Sequence, residues 1–378
     1  MRARSDHGEQ LAGRHICFLA GTLGQGGAER QLFYMLEQLR QAGLRVTLLC
    51  LTQGEFWERP IRELGVCCVW VGQKQSRVRR LVQIYKEIRR ARPDIVQSQH
   101  FYTNLYAAFA GRALGLPTIG AIRNNVFGEI RGNGRVLGRL CLHLPRHLAA
   151  NSSAGIQNAL SLGVPREKLW LIPNAVDIDR FQSGANKHSG PFQILGVGRM
   201  HSQKRFDRVL RVLAQLRSRT SVPIRAVLVG DGPLRSSLEK QAGDLNLLDC
   251  VEFRGIVADA APLYREADAL ILASDHEGTP NVIMEAMASE LAVVATAVDG
   301  VTALITSGRN GLLTPPGDET ALVNALLSLM EDPPLRDRLG AQARTFVATN
   351  HAPSTVLKAL ERLYNAALGL SAGTGDVK

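Results

Sequence analysis

The sequence contains no C-x-x-C pair. Its six cysteines, Cys17, Cys50, Cys67, Cys68, Cys141 and Cys250, are scattered. That spacing argues against a disulfide framework and a thiolate zinc site, leaving core or half-buried thiols. No apolar run reaches the ~18 residues that a membrane span requires. Met1 to Arg14 is polar and charged, without the apolar stretch of a secretory signal. The expected location is therefore the cytoplasm. No nucleic-acid-binding motif appears, so nucleic acid is not an expected partner. Disorder is not expected either: hydrophobic residues make up 45% of the 378, close to the globular average.

Acidic charge is scarce in one half only. Residues 1–188 hold 26 lysines and arginines against 13 acidic side chains, whereas the remainder holds 19 against 21. Such asymmetry points to an anionic partner of the first half.

Apolar runs alternate with amphipathic ones along most of the chain. Strands are expected at 15–20, 45–51, 66–71, 94–98, 117–122, 147–150 and 168–172. Helices are expected at 28–41, 55–64, 77–91, 102–114, 133–143 and 153–162. Leu32, Met35, Leu36 and Leu39 share one face of the first helix, and Gly43 stops it. The stretch 182–191 is polar and Gly-rich and reads as a linker. Beyond it strands are expected at 192–197, 224–229, 250–253, 268–272, 291–295 and 311–313. Helices follow at 206–217, 318–331, 333–347 and 353–369, and the tail from Ser371 reads as disordered. Strands alternating with helices predict two α/β modules with parallel sheets, residues 14–188 and 189–352. Open α/β sheets bind ligands at the carboxyl ends of their strands, and two modules facing each other enclose a cleft.

Four motifs fall at such strand ends. Gly24-Gln25-Gly26-Gly27-Ala28-Glu29-Arg30 follows the first strand; its glycines admit close backbone approach, and the helix start offers free amides. Gly198-Arg199-Met200-His201-Ser202-Gln203-Lys204 opens the second module, where Arg199 and Lys204 are placed to neutralise a diphosphate. Gly230-Asp231-Gly232-Pro233-Leu234 closes another strand as a tight turn or ligand loop. The most specific is the run from Ala273 to Ala288. Thr279 is expected to cap a helix with Pro280 at its first position, so that the amides of Gly278 to Asn281 face an anion or sugar oxygens. Glu277 precedes that helix and Glu285 lies in its second turn, two carboxylates suited to vicinal hydroxyls.

With these motifs in place, the sequence resembles retaining glycosyltransferases of the GT-B fold, group 1, family four. The resemblance is carried by 26–29, Pro173 to Asp177 with Phe181, Gly198-Arg199 with Lys204, 230–234, Phe253-Arg254-Gly255, Glu277 to Glu285, and Asn310 to Leu313 with Pro316-Gly317-Asp318. It runs from about residue 15 to 365 and implies a fold of two Rossmann-like domains facing a central cleft. It also implies that Arg199 and Lys204 bind the donor diphosphate, Glu277 the donor sugar and Glu285 the ribose. The backbone near Gly255 and Ile256 would hold the base, and the Gly26–Gly27 loop would lie against donor phosphates and acceptor. The last helix would return to the first domain. No metal and no cofactor is expected beyond the nucleotide-diphosphate-sugar substrate, and the anomeric configuration would be retained. Where relatives carry His-x-His, this chain reads Gln97-Ser98-Gln99-His100, with His100 one position late but still a catalytic candidate. Asp299 to Ala303 lacks a glycine and a carboxylate common in relatives, and Glu290 and Ala292 stand where Gly and Pro are common.

Two basic groups remain: Arg77, Arg79, Arg80, Lys86, Arg89, Arg90 and Arg92, and then Arg123, Arg131, Arg135, Arg139 and Arg146. Interleaved with Val136, Leu137, Leu140, Leu142 and Leu144, the second group suits either a core helix with a solvated face or an anionic membrane surface carrying a lipid-linked acceptor. The expected function is sugar transfer to a glycan or lipid-linked acceptor in cell-surface polysaccharide assembly, in the cytoplasm or peripherally on the membrane's cytoplasmic face. The rivals are a nucleotide-sugar hydrolase or sugar phosphorylase using the same cleft, and a non-catalytic donor-binding subunit.

Overall fold

The computed structural model describes residues 11–72, 76–182, 184 and 190–370. Most of the linker read at 182–191, the tail from Ser371 and most of the N-terminal segment lie outside them. The chain divides into two compact units, Met1–Ala175 with Pro353–Lys378, and Val176–Ala352.

The first unit is built on a seven-stranded parallel sheet. Its strands are β1 (His15–Ala20), β2 (Arg45–Cys50), β3 (Cys67–Trp70), β4 (Ile95–Ser98), β5 (Thr118–Ile122), β6 (His147–Ala150) and β7 (Leu169–Leu171), in the order β3-β2-β1-β4-β5-β6-β7. β1 and β5 are buried at every residue. Helices cover both faces of such a sheet, which is why these strands read as continuous apolar runs rather than alternating ones. The helix Gly27–Gln41 lays Leu32, Met35, Leu36 and Leu39 onto one face. The helix Pro353–Leu368 adds Val356, Leu360, Leu363 and Tyr364 to the same core. Tyr364 Oη donates to Gln97 Oε1 at 2.7 Å, tying that helix to β4.

The second unit has six parallel strands: β8 (Phe192–Val197), β9 (Ile224–Val229), β10 (Val251–Gly255), β11 (Ala269–Leu272), β12 (Ala292–Thr296) and β13 (Leu312–Thr314), ordered β10-β9-β8-β11-β12-β13. Two apolar clusters lie on its two faces, one under the helices Phe206–Arg219 and Glu319–Glu331, the other under Asn281–Ala288.

The units divide at Ala175, ahead of the 188 read from composition. The reason is apolar. Val176 and Phe181 are buried in the second core, Phe181 edge-on to Tyr264 with ring centroids 5.5 Å apart. Arg344 Nη1 donates to Phe181 O at 3.0 Å. One helix was not anticipated, Val126–Asn133. It hides among three glycines; the Asn125 side chain caps it by accepting from Gly128 N at 3.2 Å. No described helix is long and apolar enough to cross a membrane.

Candidate active site

In the second unit the motif loops leave the carboxyl ends of adjacent strands and are stitched together by backbone hydrogen bonds. Gly198 N donates to Val229 O at 3.0 Å and Gly230 N to Gly255 O at 2.8 Å, joining the ends of β8, β9 and β10. Met200 N donates to Asp231 O, and Leu234 N to Met200 O. Gly230 has φ +129°, and a Cβ there would fall 1.9 Å from Gly198 O, so the two loops approach only because that side chain is absent. Asp231 is exposed and folds back on its own turn, accepting from Gly232 N at 2.7 Å. Ile256, next to Gly255, is 64% exposed.

The loop after β11 is fixed more tightly. Arg208, 5% exposed, donates to Ala273 O at 2.7 Å and to Asp275 Oδ1 at 3.0 Å. Burial tends to raise the Asp275 pKa, but hydrogen bonds from Arg205 and Arg208 outweigh it and hold the carboxyl below its ordinary value. Gln203 N–H groups and carbonyl grip the same loop: Nε2 donates to His276 O at 2.7 Å, and Gln203 O accepts from Asp275 N at 3.0 Å.

This bracing delivers Lys204 and Glu277 to one point. Lys204 Nζ donates to Glu277 Oε1 at 2.6 Å, with side-chain exposures of 19% and 6%. Ser274 Oγ, fully buried, donates to the same Oε1 at 2.6 Å, and its own carbonyl accepts from Thr296 Oγ1 at 2.6 Å. Ser274 was not singled out from the sequence, although its place three residues before Glu277 on the same loop was a usable signal. Arg199 is exposed, and among the described residues its guanidinium has no partner. The arrangement thus offers one free cation, one cation held against a carboxylate, and a carboxylate whose other oxygen is not spent on Lys204 or Ser274.

The expected start of the following helix needs correction. The helix is Asn281–Ala288, and Pro280 rather than Thr279 occupies the cap position, with no side-chain cap. Pro280 adopts φ −74°, ψ 105°, which is extended, so the turn of helix starts one residue later. Glu285 is 3% exposed and accepts from Tyr264 Oη at 2.7 Å.

In the first unit, Gly26 caps the helix that begins at Gly27, and a Cβ on Gly26 would fall 2.0 Å from Glu29 Oε2. His100 accepts from Gly21 N through Nδ1 at 3.1 Å, which places the proton on Nε2, 3.1 Å from Glu29 Oε1. Both ring nitrogens are therefore committed to holding the Gly-rich loop. Gln99, at the second position of the Gln-x-Gln run, donates to Ala28 O at 2.8 Å.

Glu55 anchors the same loop, accepting from Thr22 Oγ1 at 2.8 Å, Thr52 Oγ1 at 2.5 Å and Leu23 N. Burial works to raise its pKa, but the bonds from Thr52, Leu23 N and Thr22 overcome that and lower it. A depressed carboxylate stabilises the fold above its unfolded pKa, and that contribution disappears as pH falls through the folded value. Glu55→Gln is expected to cost about 1–2 kcal/mol at neutral pH, with the parent and variant melting curves converging toward acid pH. Parallel curves would contradict the assignment.

Comparison with known proteins gives the family. Residues 25–180 match the model of Glycosyltransferase Family 4, and residues 191–332 that of Glycosyl transferases group 1. The chain belongs to the group 1, family 4 glycosyltransferases. The lipopolysaccharide core biosynthesis glycosyltransferase LpsD of Rhizobium meliloti is 24% identical over 353 residues, 93% of this chain and 97% of that one. LpsE of the same organism is 27% identical over 333 residues, 83% of this chain and 88% of its own. The crystal structure of Anabaena Alr3699/HepE in complex with UDP and glucose superposes with a TM-score of 0.83 at 21% identity, over 93% of this glycosyltransferase and 100% of HepE. The fold is GT-B: two Rossmann-like units, each with a parallel sheet. Among the described residues of this glycosyltransferase, no group of three or more His, Cys, Asp or Glu is placed to hold a metal ion.

Proposed function

We propose that this glycosyltransferase moves a sugar from a nucleotide-diphosphate donor to a glycan or lipid-linked acceptor, with retention of configuration, in lipopolysaccharide or related cell-surface polysaccharide assembly. The observation that carries the reading is the meeting of Lys204 and Glu277 at 2.6 Å, with Lys204 on the loop that also carries the exposed Arg199. As the glycosidic bond breaks, negative charge grows on the leaving diphosphate, and fixed cations there lower the barrier. Glu277 is placed to accept hydroxyls of the sugar attached to that diphosphate. The biosynthetic setting is supported by the lipopolysaccharide names of the relatives LpsD and LpsE. The chemistry needs no metal if the side-chain cations carry the charge.

The donor is tested by melting the protein with UDP-, GDP- and ADP-sugars, since a ligand that binds only the folded state raises the melting temperature. Donor turnover is then followed with and without acceptor glycans. Fast hydrolysis without transfer would replace the transferase reading with a hydrolase, and tight binding without turnover would replace it with a binding subunit.

An anionic membrane surface is the proposed place of work. The helices Val126–Asn133 and Arg135–His143 bury Val126, Cys141 and Leu142 but expose Phe127 at 45% and Val136 at 73%. Arg131, Arg135 and Arg139 are exposed on the same helices. Basic residues near an anionic leaflet contribute about 1 kcal/mol each. Replacing Arg135 and Arg139 by glutamate is expected to weaken binding to phosphatidylglycerol vesicles by at least about a hundredfold, while binding to neutral vesicles stays weak throughout. Equal binding of parent and variant would remove this face from the proposal.

A further inference from the structure

Arg123 follows β5 at the carboxyl edge of the first sheet, and only 7% of it is exposed. Among the described residues its side chain makes one hydrogen bond, from Nη2 to Met35 Sδ at 3.7 Å, and a thioether is a weak acceptor. Its Nε is buried and has no partner. Among the described residues no carboxylate pairs with it. The ionisable group it does feel is the Tyr364 phenol, which burial pushes far up and keeps neutral. Desolvation correspondingly lowers the Arg123 pKa to about 10.

A buried guanidinium without a carboxylate is costly, and a structural role would be filled more cheaply by an apolar side chain of similar volume. Its location adds direction. The neighbouring strand ends carry His100 and Asn151, and Asn151 Nδ2 donates to Arg123 O at 3.3 Å, fixing the backbone from which the side chain departs. The next residues, Asn124 and Asn125, are exposed, so Arg123 stands where the chain leaves β5 for the surface, at the ligand-binding edge of an open sheet. The surplus of basic residues in the first half favours an anion there.

We propose that Arg123 anchors an anionic group, a phosphate or a carboxylate, of the acceptor substrate. The planar fork of Arg123 pairs with either group bidentately. This inference rests on the proposed transfer to a glycan or lipid-linked acceptor and takes the first unit to receive it; the anion site itself is tested independently of transfer.

Protein carrying isotope-labelled arginine gives Nε–H signals from buried guanidiniums, and the Arg123 signal is the one lost in Arg123→Lys. Inorganic phosphate and, separately, glucuronate are titrated in at constant ionic strength. Saturable movement of the Arg123 signal is expected with one of them, and the anion that moves it identifies a phosphate-bearing or carboxylate-bearing acceptor. In Arg123→Met, anion affinity at this site, read from neighbouring backbone amides, should fall by about tenfold or more, the usual loss for a charge-assisted pair. If that variant fails to fold, Arg123→Lys, which keeps the charge and loses the fork, is expected to weaken the same response. A signal unmoved by either anion overturns the proposal. Nucleotide-sugar binding, measured on the same samples through the melting temperature of an Arg123→Lys protein, should be unchanged; its absence in the parent would sink the transferase reading while leaving the anion site standing.

Discussion

Lys204→Ala is expected to slow sugar transfer by about a hundredfold to a thousandfold, the usual consequence of removing one fixed donor from a site where charge develops. The effect has two sources that kinetics separate. On the proposed reading, loss of Nζ removes a cation from the leaving diphosphate. It also releases Glu277, whose Oε1 then keeps only the Ser274 hydroxyl at 2.6 Å. Glu277→Ala is expected to lower transfer by a similar factor while changing affinity for the free nucleotide diphosphate by less than about tenfold, because the nucleotide lacks the sugar that the carboxylate would hold. Lys204→Ala should weaken both. If the two act as one unit, the double variant is hardly slower than either single one. Strictly multiplicative losses would mean that the ion pair seen here has no part in turnover. The pair lies between the exposed and the fully buried regimes, so Lys204→Ala should cost about 1–3 kcal/mol of stability, too little to account for the kinetic loss by unfolding.

Legibility followed the physics of each feature. Strand positions came through because parallel strands covered on both faces, such as Ala269–Leu272, write unbroken apolar runs into the chain. Lys204 and Glu277 were legible separately, each at a strand end; their ion pair at 2.6 Å was not, since it depends on a fold that joins positions 73 apart. The start of the helix at Asn281 was misplaced because Thr-Pro is a common helix opening, and sequence does not reveal that Pro280 takes an extended ψ. The Val126–Asn133 helix was hidden by Gly128, Gly132 and Gly134, which read as loop. Gly138 in the next helix shows why glycine is used there: a Cβ would lie 2.6 Å from Ile130 Cα, so the two helices touch backbone to backbone. Arg123 was counted among surface charges because composition does not distinguish a solvated arginine from one buried behind Met35. His100 was read as a catalytic candidate, and its commitment to Gly21 N and Glu29 requires the folded loop to be seen.

Gly300→Ala is expected to lower transfer by about a hundredfold although Gly300 carries no chemistry. It is the second residue of the short helix Asp299–Thr302. A Cβ built there falls 1.9 Å from Gly278 O and 2.8 Å from Glu277 O. The atoms in the way are backbone, so no side-chain rotation relieves the clash, and either the helix or the Glu277–Gly278 loop must move by more than about 1 Å. A displacement of that size at a positioned group costs on the order of a hundredfold in rate. Overpacking itself costs about 1–3 kcal/mol, so the variant should melt earlier yet remain folded at assay temperature. Gly308→Ala separates the two effects. Gly308 has φ +76° with nothing within 4 Å of an added Cβ, so alanine there strains the backbone without touching the site. It should lower the melting temperature comparably and leave transfer at the parental rate. If Gly300→Ala also transfers at the parental rate, the backbone beneath Glu277 tolerates movement, and its placement by the helix at 299–302 is not what sets the carboxylate.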